Sequence, residues 1–359
     1  MEQLPFWATL VRWQVAHGRN DLPWQNTGSA YAVWLSEIML QQTQVVTVRG
    51  YFARFVARFP HVAALASASL DDVLGLWSGL GYYSRARNMH QCAQAIMAHH
   101  GGVFPSTAAE LQTLPGIGPS TAAAIASLCF GERVAIMDGN VKRVLTRYLG
   151  YDSDLAVTAN SRRLMQLATD LLPDSDLPVS MARYTQGIMD MGATVCTTRK
   201  PACEVCPQKE GCRARALGAP ERFPVKTRKL KRTAESIWLL SARTHDGAVW
   251  LSKRPTPGVW AGLYCLPLFS DRAGLQAVLP AQGCVELAEE VAIKHVLTHK
   301  DLYLHPVSVV LSRESPPDSQ GVWVDHGQWV EMGLPAPIRK WLSCERRTIG
   351  SPSRDAASV

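Results

Sequence analysis

Residues 114–122 read LPGIGPSTA and lead directly into a helical stretch, residues 123–130. Gly116 and Gly118 at this spacing permit a tight hairpin whose backbone N–H groups are exposed. Pro119 is suited to the first position of a helix, so the hairpin should end at a helix N-terminus. Exposed amides at a helix N-terminus bind phosphate without any side chain. The spacing alone fits both a DNA phosphate site and an ordinary helix–turn–helix corner.

The pattern around this hairpin predicts a multidomain protein. From residue 6 to about 215, apolar residues recur three and four positions apart, as in amphipathic helices. After Gly218, apolar stretches separated by His245-Asp246-Gly247 indicate strands joined by a hairpin. We expect an all-α domain in residues 1–216 with a helix-hairpin-helix at about 111–131, a basic linker in 217–232, a small α/β domain in 233–345 and a disordered tail in 346–359.

The composition is that of a globular protein with a basic balance. Of 359 residues, 47% are hydrophobic and 19% charged, and the formal net charge is +7. A basic chain suits a polyanionic partner, although many basic proteins have none. The first residues lack the pattern of a secretory signal, and no run of about 18 apolar residues occurs. We expect a soluble cytoplasmic protein with no membrane segment.

Four of the nine cysteines crowd together at Cys196, Cys203, Cys206 and Cys212. In a reducing compartment such a cluster favours a metal site over disulfides. Four thiolates can hold either Zn²⁺ or a [4Fe–4S] cluster, and spacing does not separate the two. The scattered cysteines are expected to be small buried hydrophobes: Cys92, Cys129, Cys265, Cys284 and Cys344.

Two carboxylates are candidates for acid–base chemistry. Glu37 falls on the apolar stripe of its helical stretch, where it either lies at the rim of the core or is desolvated and held protonated as a general acid. Asp138 precedes a helix that begins near Val141, and an aspartate there is also a favoured N-cap. Each residue therefore has a structural and a catalytic interpretation.

Taken together, the motifs resemble those of the adenine DNA glycosylases, within the helix-hairpin-helix DNA glycosylases. The resemblance extends from about residue 5 to 345, and the motifs occur in the family's order. They are residues 22–24, 36–44, 79–87, 114–118 and 138–141 and the cysteine loop 196–212.

This resemblance implies a cofactor and a set of DNA contacts. The four cysteines would hold a [4Fe–4S] cluster that shapes a basic loop, which makes zinc the lesser alternative. Gly116, Gly118 and Ser120 would contact the DNA backbone. Gln42 and Tyr82 would fill or distort the stack that an extruded base leaves behind. Pro119 departs from the basic residue of the family pattern, which removes one expected phosphate contact.

The resemblance also assigns chemistry to the two carboxylates. Glu37 would protonate adenine at N7, and Asp138 would stay ionised and stabilise the cationic sugar, with Asn140 as an orienting partner. Bifunctional relatives carry a nucleophilic lysine where this chain has Ser120, so a monofunctional glycosylase is expected. Lys142 could still trap the sugar aldehyde in a side reaction.

The C-terminal part resembles the family's Nudix-like domain, which reads 8-oxoguanine opposite the adenine. Residues 288–290 supply two acids without the surrounding Arg–Glu framework of a Nudix hydrolase, so a reader is expected. The family's aromatic–Ser–His turn corresponds here to Leu297, Thr298 and His299. The hydroxyl and imidazole are kept, whereas Leu297 lacks the ring.

The implied partner is duplex DNA that contains adenine opposite 8-oxoguanine or guanine. The enzyme is expected to act as a monomer in the bacterial cytoplasm, associated with the nucleoid through DNA. Two alternatives remain open: a bifunctional glycosylase/lyase of the endonuclease III type, and a non-enzymatic iron–sulfur DNA-binding regulator. A nucleotide-cleaning hydrolase is disfavoured by the missing Nudix framework.

Overall fold

The computed structural model describes residues 4–25, 27–227, 232–279 and 287–349, and the chain divides into two compact units. The first unit comprises residues 1–67 and 88–229, and the second comprises residues 68–87 and 230–359. The units thus differ from the bounds expected from sequence in two segments: most of the predicted linker belongs to the first unit, and residues 68–87 belong to the second. Segment 68–87 is tied to the second unit because the Tyr83 hydroxyl donates to the Leu334 carbonyl at 2.8 Å.

The described part of the first unit is helical. Its helices are α1 (Phe6–His17), α2 (Ala30–Leu40), α3 (Val45–Arg58), α4 (Val62–Ser67), α6 (Ser84–His100, which starts in the second unit's segment), α7 (Ala108–Leu111), α8 (Pro119–Phe130), α9 (Gly139–Leu149), α10 (Thr158–Asp170), α11 (Leu177–Thr194) and α12 (Arg213–Ala216). Gly131 and Gly150 end α8 and α9 in the left-handed conformation, at φ 69° and 61°. The predicted all-α class is confirmed for this unit.

Helix α11 organises the core of the first unit because it packs against α1, α8 and α9. Its buried face carries Tyr184, Ile188 and Met191, which join Leu10 of α1 in one apolar cluster. At Gly192, α11 approaches the Asn140 Cβ closely, which places the first turn of α9, directly after Asp138, against this helix.

The second unit is an α/β fold, as expected. Its elements are α5 (Leu70–Trp77), β1 (Thr233–Arg243), β2 (Val249–Lys253), β3 (Tyr264–Cys265), β4 (Leu268–Phe269), α13 (Arg272–Ala277), β5 (Ala288–Glu289), β6 (Ile293–Val296), β7 (Lys300–Val310), β8 (Gly321–Val324), α14 (His326–Trp329) and α15 (Ala336–Ile349).

One mixed sheet forms the centre of the second unit, with strand order β3-β2-β1-β7-β5 along its main path. β1 and β7 run parallel, with Ile237 opposite Leu304, and β1 turns back into β2 through the predicted hairpin. β6 pairs antiparallel with β7 across a short turn, residues 297–299. This turn carries the three residues expected to read the lesion.

The described part of the predicted linker is not a free tether. Phe223 is buried, the Leu155 amide donates to the Val225 carbonyl at 3.2 Å, and the Thr227 hydroxyl bonds the Asp154 carboxylate. The linker therefore packs on the first unit as far as residue 227, while residues 228–231 lie outside the described part of the chain.

Residues 346–349 of the predicted tail belong to α15, which ends at Ile349; residues 350–359 lie outside the described residues. Across the described ranges, no helix combines the length and the apolar character needed to cross a bilayer.

Candidate active site

A groove of about 810 Å³ in the first unit brings together the predicted catalytic residues Glu37, Asp138 and Asn140, together with Gln42 and Ser120. These residues come from α2, α8, α9 and the turn after α2, so only the folded chain places them side by side. We call this feature the groove.

Asp138 caps α9 and also lines the groove, so both interpretations of its sequence position stay open. Its Oδ1 accepts a hydrogen bond from the Val141 amide at 2.7 Å, which caps α9. The same half-buried side chain lines the groove. A capping carboxylate is held in one orientation, so Asp138 is fixed where it can act on a ligand in the groove.

The environments of the two carboxyls push them toward different protonation states. Burial, and then the negative charge of Asp138, raise the pKa of Glu37 to about 7. Burial also raises the pKa of Asp138, but the Val141 and Asn140 amides and the cation of Arg143 oppose that rise. In Glu37 both effects act in the same direction, whereas in Asp138 they compete. Glu37 is therefore the better proton donor and Asp138 the better anion.

Arg143 connects the groove to the cysteine loop. Its guanidinium donates to Asn140 Oδ1 at 2.7 Å, to the Gly192 carbonyl at 2.6 Å and to the Cys196 carbonyl at 2.7 Å. These bonds orient the Asn140 amide beside Asp138. The expected orienting role of Asn140 thus has a geometric basis.

A second cavity, of about 180 Å³, was not anticipated from the sequence. It is lined by Trp24, Gln25, Cys129, Arg183 and Gln186, and it shares Glu37 with the groove. We call it the Trp24 cavity. Its lining residues lie on separate elements. Trp24, Ser36 and Glu37 stood in recognised motifs, whereas Cys129, Arg183 and Gln186 did not.

The Trp24 cavity carries polar atoms that suit a ligand. The Gln25 Nε2 atom is buried without a hydrogen-bond partner among the described residues. Burial, and then the charge of Glu37, raise the pKa of Cys129 to about 12, so this thiol stays neutral. An unpaired buried donor is costly unless a ligand satisfies it. The cavity can therefore accept a neutral molecule that carries hydrogen-bond acceptors.

The predicted hairpin has the expected local geometry. Gly116 has φ 75°, and a Cβ there would come within 2.6 Å of the Asn88 Cβ, so glycine is required. Gly118 is the N-cap of α8, and Pro119 is its first residue. Both are exposed, which leaves the helix N-terminus accessible to an anion.

The two predicted wedge residues share an unusual backbone. Gln42 has φ 58° and Tyr82 has φ 49°, in the left-handed region that side chains other than glycine rarely adopt. Both side chains are exposed, Tyr82 by 45%. Strain of this kind, on the order of 1–3 kcal/mol per residue, is concentrated at functional sites.

Tyr82 and the turn at 297–299 meet within the second unit. The Tyr82 hydroxyl lies 2.8 Å from Thr298 Oγ1, and Arg232 donates to the Thr298 carbonyl at 3.0 Å. Thr298 and His299 are exposed, whereas Leu297 is half-buried. The expected wedge and the expected lesion reader therefore form one surface.

The four clustered cysteines line one cavity with Arg147, Lys209 and Arg215. All four are free thiols, and each is half-buried. The Arg147 guanidinium donates to Cys196 Sγ at 3.4 Å and to the Thr197 carbonyl at 2.7 Å, which fixes the start of the loop. Burial raises the pKa of Cys203, and the cations of Arg147 and Arg215 oppose that rise.

Among the described residues, no three His, Cys, Asp or Glu side chains are arranged so that they could hold one metal ion. Zinc needs its sulfur ligands at about 2.3 Å from one centre, whereas an iron–sulfur cluster holds them around a larger body. The four thiols around one cavity are the sulfur ligands that either group takes. Among the scattered cysteines, Cys92 and Cys265 are buried as predicted, the prediction for Cys344 is wrong because it is exposed, and Cys284 lies outside the described residues.

Comparisons with known proteins agree with this geometry. Residues 35–173 match the HhH-GPD superfamily of base excision DNA repair proteins, and residues 238–344 match the NUDIX domain. The fold is similar to that of a thermostable thymine-DNA glycosylase, with a TM-score of 0.53 and 26% identity over 59% of this chain and 95% of that one.

Two adenine DNA glycosylases are similar in sequence. The human enzyme is 43% identical over 60% of this chain and 40% of its own length. The enzyme of Buchnera aphidicola from Acyrthosiphon pisum is 34% identical over 97% of this chain and 100% of its own length. Because this second similarity spans nearly the whole of both chains, the chain belongs to the adenine DNA glycosylase family of base excision DNA repair enzymes.

Proposed function

We propose that the chain is a monofunctional glycosylase that removes adenine from duplex DNA where it lies opposite 8-oxoguanine or guanine. The observation that carries this proposal is the placement of Glu37 and Asp138 on one groove, with the charge of Asp138 contributing to a Glu37 pKa of about 7. Two carboxyls with separated protonation preferences are what cleavage of a glycosidic bond through a cationic sugar requires.

The extruded adenine is proposed to occupy the Trp24 cavity while its sugar stays in the groove. Glu37 lines both spaces, which supports this arrangement. Protonated Glu37 gives its proton to adenine N7 as the bond to C1′ breaks, so the base leaves neutral. The Asp138 carboxylate stabilises the positive charge left on the sugar until water adds at C1′ and gives a proton to the Glu37 carboxylate, which restores the acid. A positioned acid of this kind contributes about 10²–10⁴-fold.

The proposal that the enzyme does not cut the strand rests on the lining of the groove. Ser120 lines the groove at the position where a lyase would need an amine. Among the described residues, no lysine lines the groove, and Lys142 does not line it either. A serine hydroxyl cannot form the imine through which a lysine opens the sugar and eliminates the phosphate.

The second unit is proposed to read the base opposite adenine. Thr298 and His299 present a hydroxyl and an imidazole on an exposed turn, and the contact between Tyr82 and Thr298 aligns them with the proposed wedge.

The cysteine loop is proposed to hold a [4Fe–4S] cluster through Cys196, Cys203, Cys206 and Cys212. Bound there, the cluster would supply a rigid centre that holds the basic loop in shape. The protein's own contribution is to bring the four thiols around one cavity and to surround them with the cations of Arg147, Lys209 and Arg215.

The test is adenine release under single-turnover conditions from duplexes with A opposite 8-oxoguanine and A opposite G. We expect release from both, faster opposite 8-oxoguanine, and strand breaks only after treatment with base. Strand breaks without that treatment would refute monofunctional action, and equal rates on the two duplexes would refute the lesion preference. No adenine release from either duplex would refute the function itself.

A further inference from the structure

The turn at 297–299, which we call the reading turn, is tied at both ends by backbone hydrogen bonds. The Leu297 amide donates to the Lys300 carbonyl at 2.8 Å, which closes the turn between β6 and β7. The Thr233 amide, at the start of β1, donates to the His299 carbonyl at 3.1 Å. The middle residue of the turn is held in a different way, by side chains.

Two side chains from outside the reading turn hold Thr298. Arg232, the residue before β1, donates through Nη1 to the Thr298 carbonyl at 3.0 Å. The Tyr82 hydroxyl lies 2.8 Å from Thr298 Oγ1. Because a peptide unit is planar, a fixed Thr298 carbonyl also fixes the direction of the His299 N–H. Arg232 therefore orients the peptide between the two residues that are proposed to read the opposite base.

Asp301 holds the Arg232 guanidinium in place. One oxygen of its carboxylate accepts a hydrogen bond from Arg232 Nη2, and the other lies 3.0 Å from Lys294 Nζ. The hydrogen bonds from Arg232 and Lys294 lower the pKa of Asp301, so this side chain is ionised at neutral pH. A guanidinium donates in a rigid planar fork. With one terminal nitrogen bound to Asp301, the other is directed at the Thr298 carbonyl.

The exposure of this network limits what it can do. The side chains of Arg232 and Lys294 are 42% and 51% exposed, and that of Asp301 is 22% exposed. Solvent screens exposed ion pairs, so they add little to the stability of a folded unit. The network is therefore suited to restraining one turn and not to deciding whether the unit folds.

The two bases that the turn must distinguish differ only along one edge. 8-Oxoguanine carries an N7–H donor and an oxygen on C8, whereas guanine has an N7 acceptor and no oxygen there. Discrimination by hydrogen bonding requires groups that are held in one geometry, because only then is a mismatched atom left unpaired. A turn that moves freely could contact either base and would lose the difference between them.

We propose that Arg232 is a positioning residue that holds the reading turn in the shape that distinguishes 8-oxoguanine from guanine, and that Asp301 keeps Arg232 in that place. This inference rests on the proposed reading of the opposite base by the second unit. It predicts that the loss of Arg232 affects the preference between the two bases and leaves the removal of adenine itself intact.

The experiment compares single-turnover adenine release from duplexes with A opposite 8-oxoguanine and A opposite G, at saturating protein. Arg232→Met should lower the 8-oxoguanine:guanine rate ratio about 3–10-fold, with the rate opposite guanine nearly unchanged. Arg272→Met is the matched control, since this exposed arginine forms its ion pair with Glu289 at the opposite end of β7. Its ratio should equal that of the unsubstituted protein. An unchanged ratio in Arg232→Met, or equal loss of both rates, would overturn the proposal.

Salt provides a readout that a purely structural role would not change. Ions screen exposed charge pairs, so the ratio of the unsubstituted protein should fall between about 0.05 and about 0.5 M salt. Salt weakens contacts with the DNA backbone equally in the two duplexes, so that effect cancels in the ratio. The ratio of Arg232→Met should not depend on salt. A flat ratio in the unsubstituted protein, or the same dependence in the variant, would overturn the proposal.

A second variant keeps the test decisive if Arg232→Met unfolds. Asp301→Asn preserves the size of the side chain but removes the charge that holds Arg232, so it should lower the ratio in the same direction by a smaller factor. A ratio as high as that of the unsubstituted protein would overturn the proposal.

The same assay separates this inference from the proposed function. No adenine release by the unsubstituted protein from either duplex would refute the function. Release at equal rates would refute the lesion reading and this inference with it. A clear preference that Arg232→Met retains in full would refute only this inference.

Discussion

Replacing Glu37 by glutamine should remove catalysis and at the same time stabilise the fold at alkaline pH. Burial and the charge of Asp138 raise the pKa of Glu37 from its ordinary 4.5 to about 7. This difference corresponds to about 3 kcal/mol by which the fold disfavours the ionised side chain. The contribution of protonated Glu37 to the free energy of unfolding is therefore complete below pH 4.5, and it is lost as the pH rises through about 7.

Glutamine cannot ionise, so Glu37→Gln avoids that loss. The free energy of unfolding of this variant, relative to that of the unsubstituted protein, should increase by about 2.5 kcal/mol between pH 5 and pH 8. For a unit of this size, such a gain raises the melting temperature by about 5–10 °C. The same protonation should govern catalysis: base release by the unsubstituted protein should fall about tenfold per pH unit above about 7 as Glu37 loses its proton.

The assay is thermal unfolding at pH 5 and pH 8, combined with a pH profile of single-turnover adenine release. Glu314→Gln provides the matched control, since Glu314 is exposed and lies in the other unit. Its melting temperature should follow that of the unsubstituted protein at both pH values. A Glu37→Gln difference that does not grow with pH, or a release rate that stays flat to pH 9, would refute the assignment of Glu37 as the buried acid.

Three further outcomes are expected. Asp138→Asn should abolish measurable base release yet keep duplex binding and the melting temperature, because asparagine also caps a helix; single-turnover cleavage by this variant would contradict the role of Asp138. Cys203→Ser should lower the bound iron and the visible absorbance of the purified protein, and unchanged iron content would argue against the cluster. Thr298→Val removes the hydroxyl that bonds Tyr82 and should reduce the 8-oxoguanine:guanine rate ratio about 5–10-fold, with the rate opposite guanine nearly unchanged; loss of both rates together would point to a general binding defect.

Short-range patterns made much of this fold predictable. The positions of glycine and proline predicted a helix that starts at Pro119. The N-cap at Asp138 was predictable because aspartate is favoured at that position. The attachment of residues 68–87 to the second unit was not predictable, because it depends on contacts such as Tyr83 with Leu334, which lie far apart in sequence.

The same distinction applies to the candidate site. Glu37 and Asp138 were identified by their surroundings in sequence, and the groove unites them. The Trp24 cavity was missed because its lining comes from several helices, on which a residue such as Gln186 has no distinguishing neighbours. The bond between Arg232 and Thr298 was missed for a related reason, since an arginine in a basic linker does not reveal which turn it will meet.

The central claim concerns where an extruded adenine lies relative to Glu37 and Asp138. The most direct measurement is a crystal structure of the protein with a duplex that carries a non-hydrolysable 2′-fluoro analogue of deoxyadenosine opposite 8-oxoguanine. We predict that the base fills the Trp24 cavity, with N7 in hydrogen-bond contact with Glu37, and that C1′ faces the Asp138 carboxylate across the groove. An adenine that remains stacked, or one bound away from both carboxyls, would contradict the account.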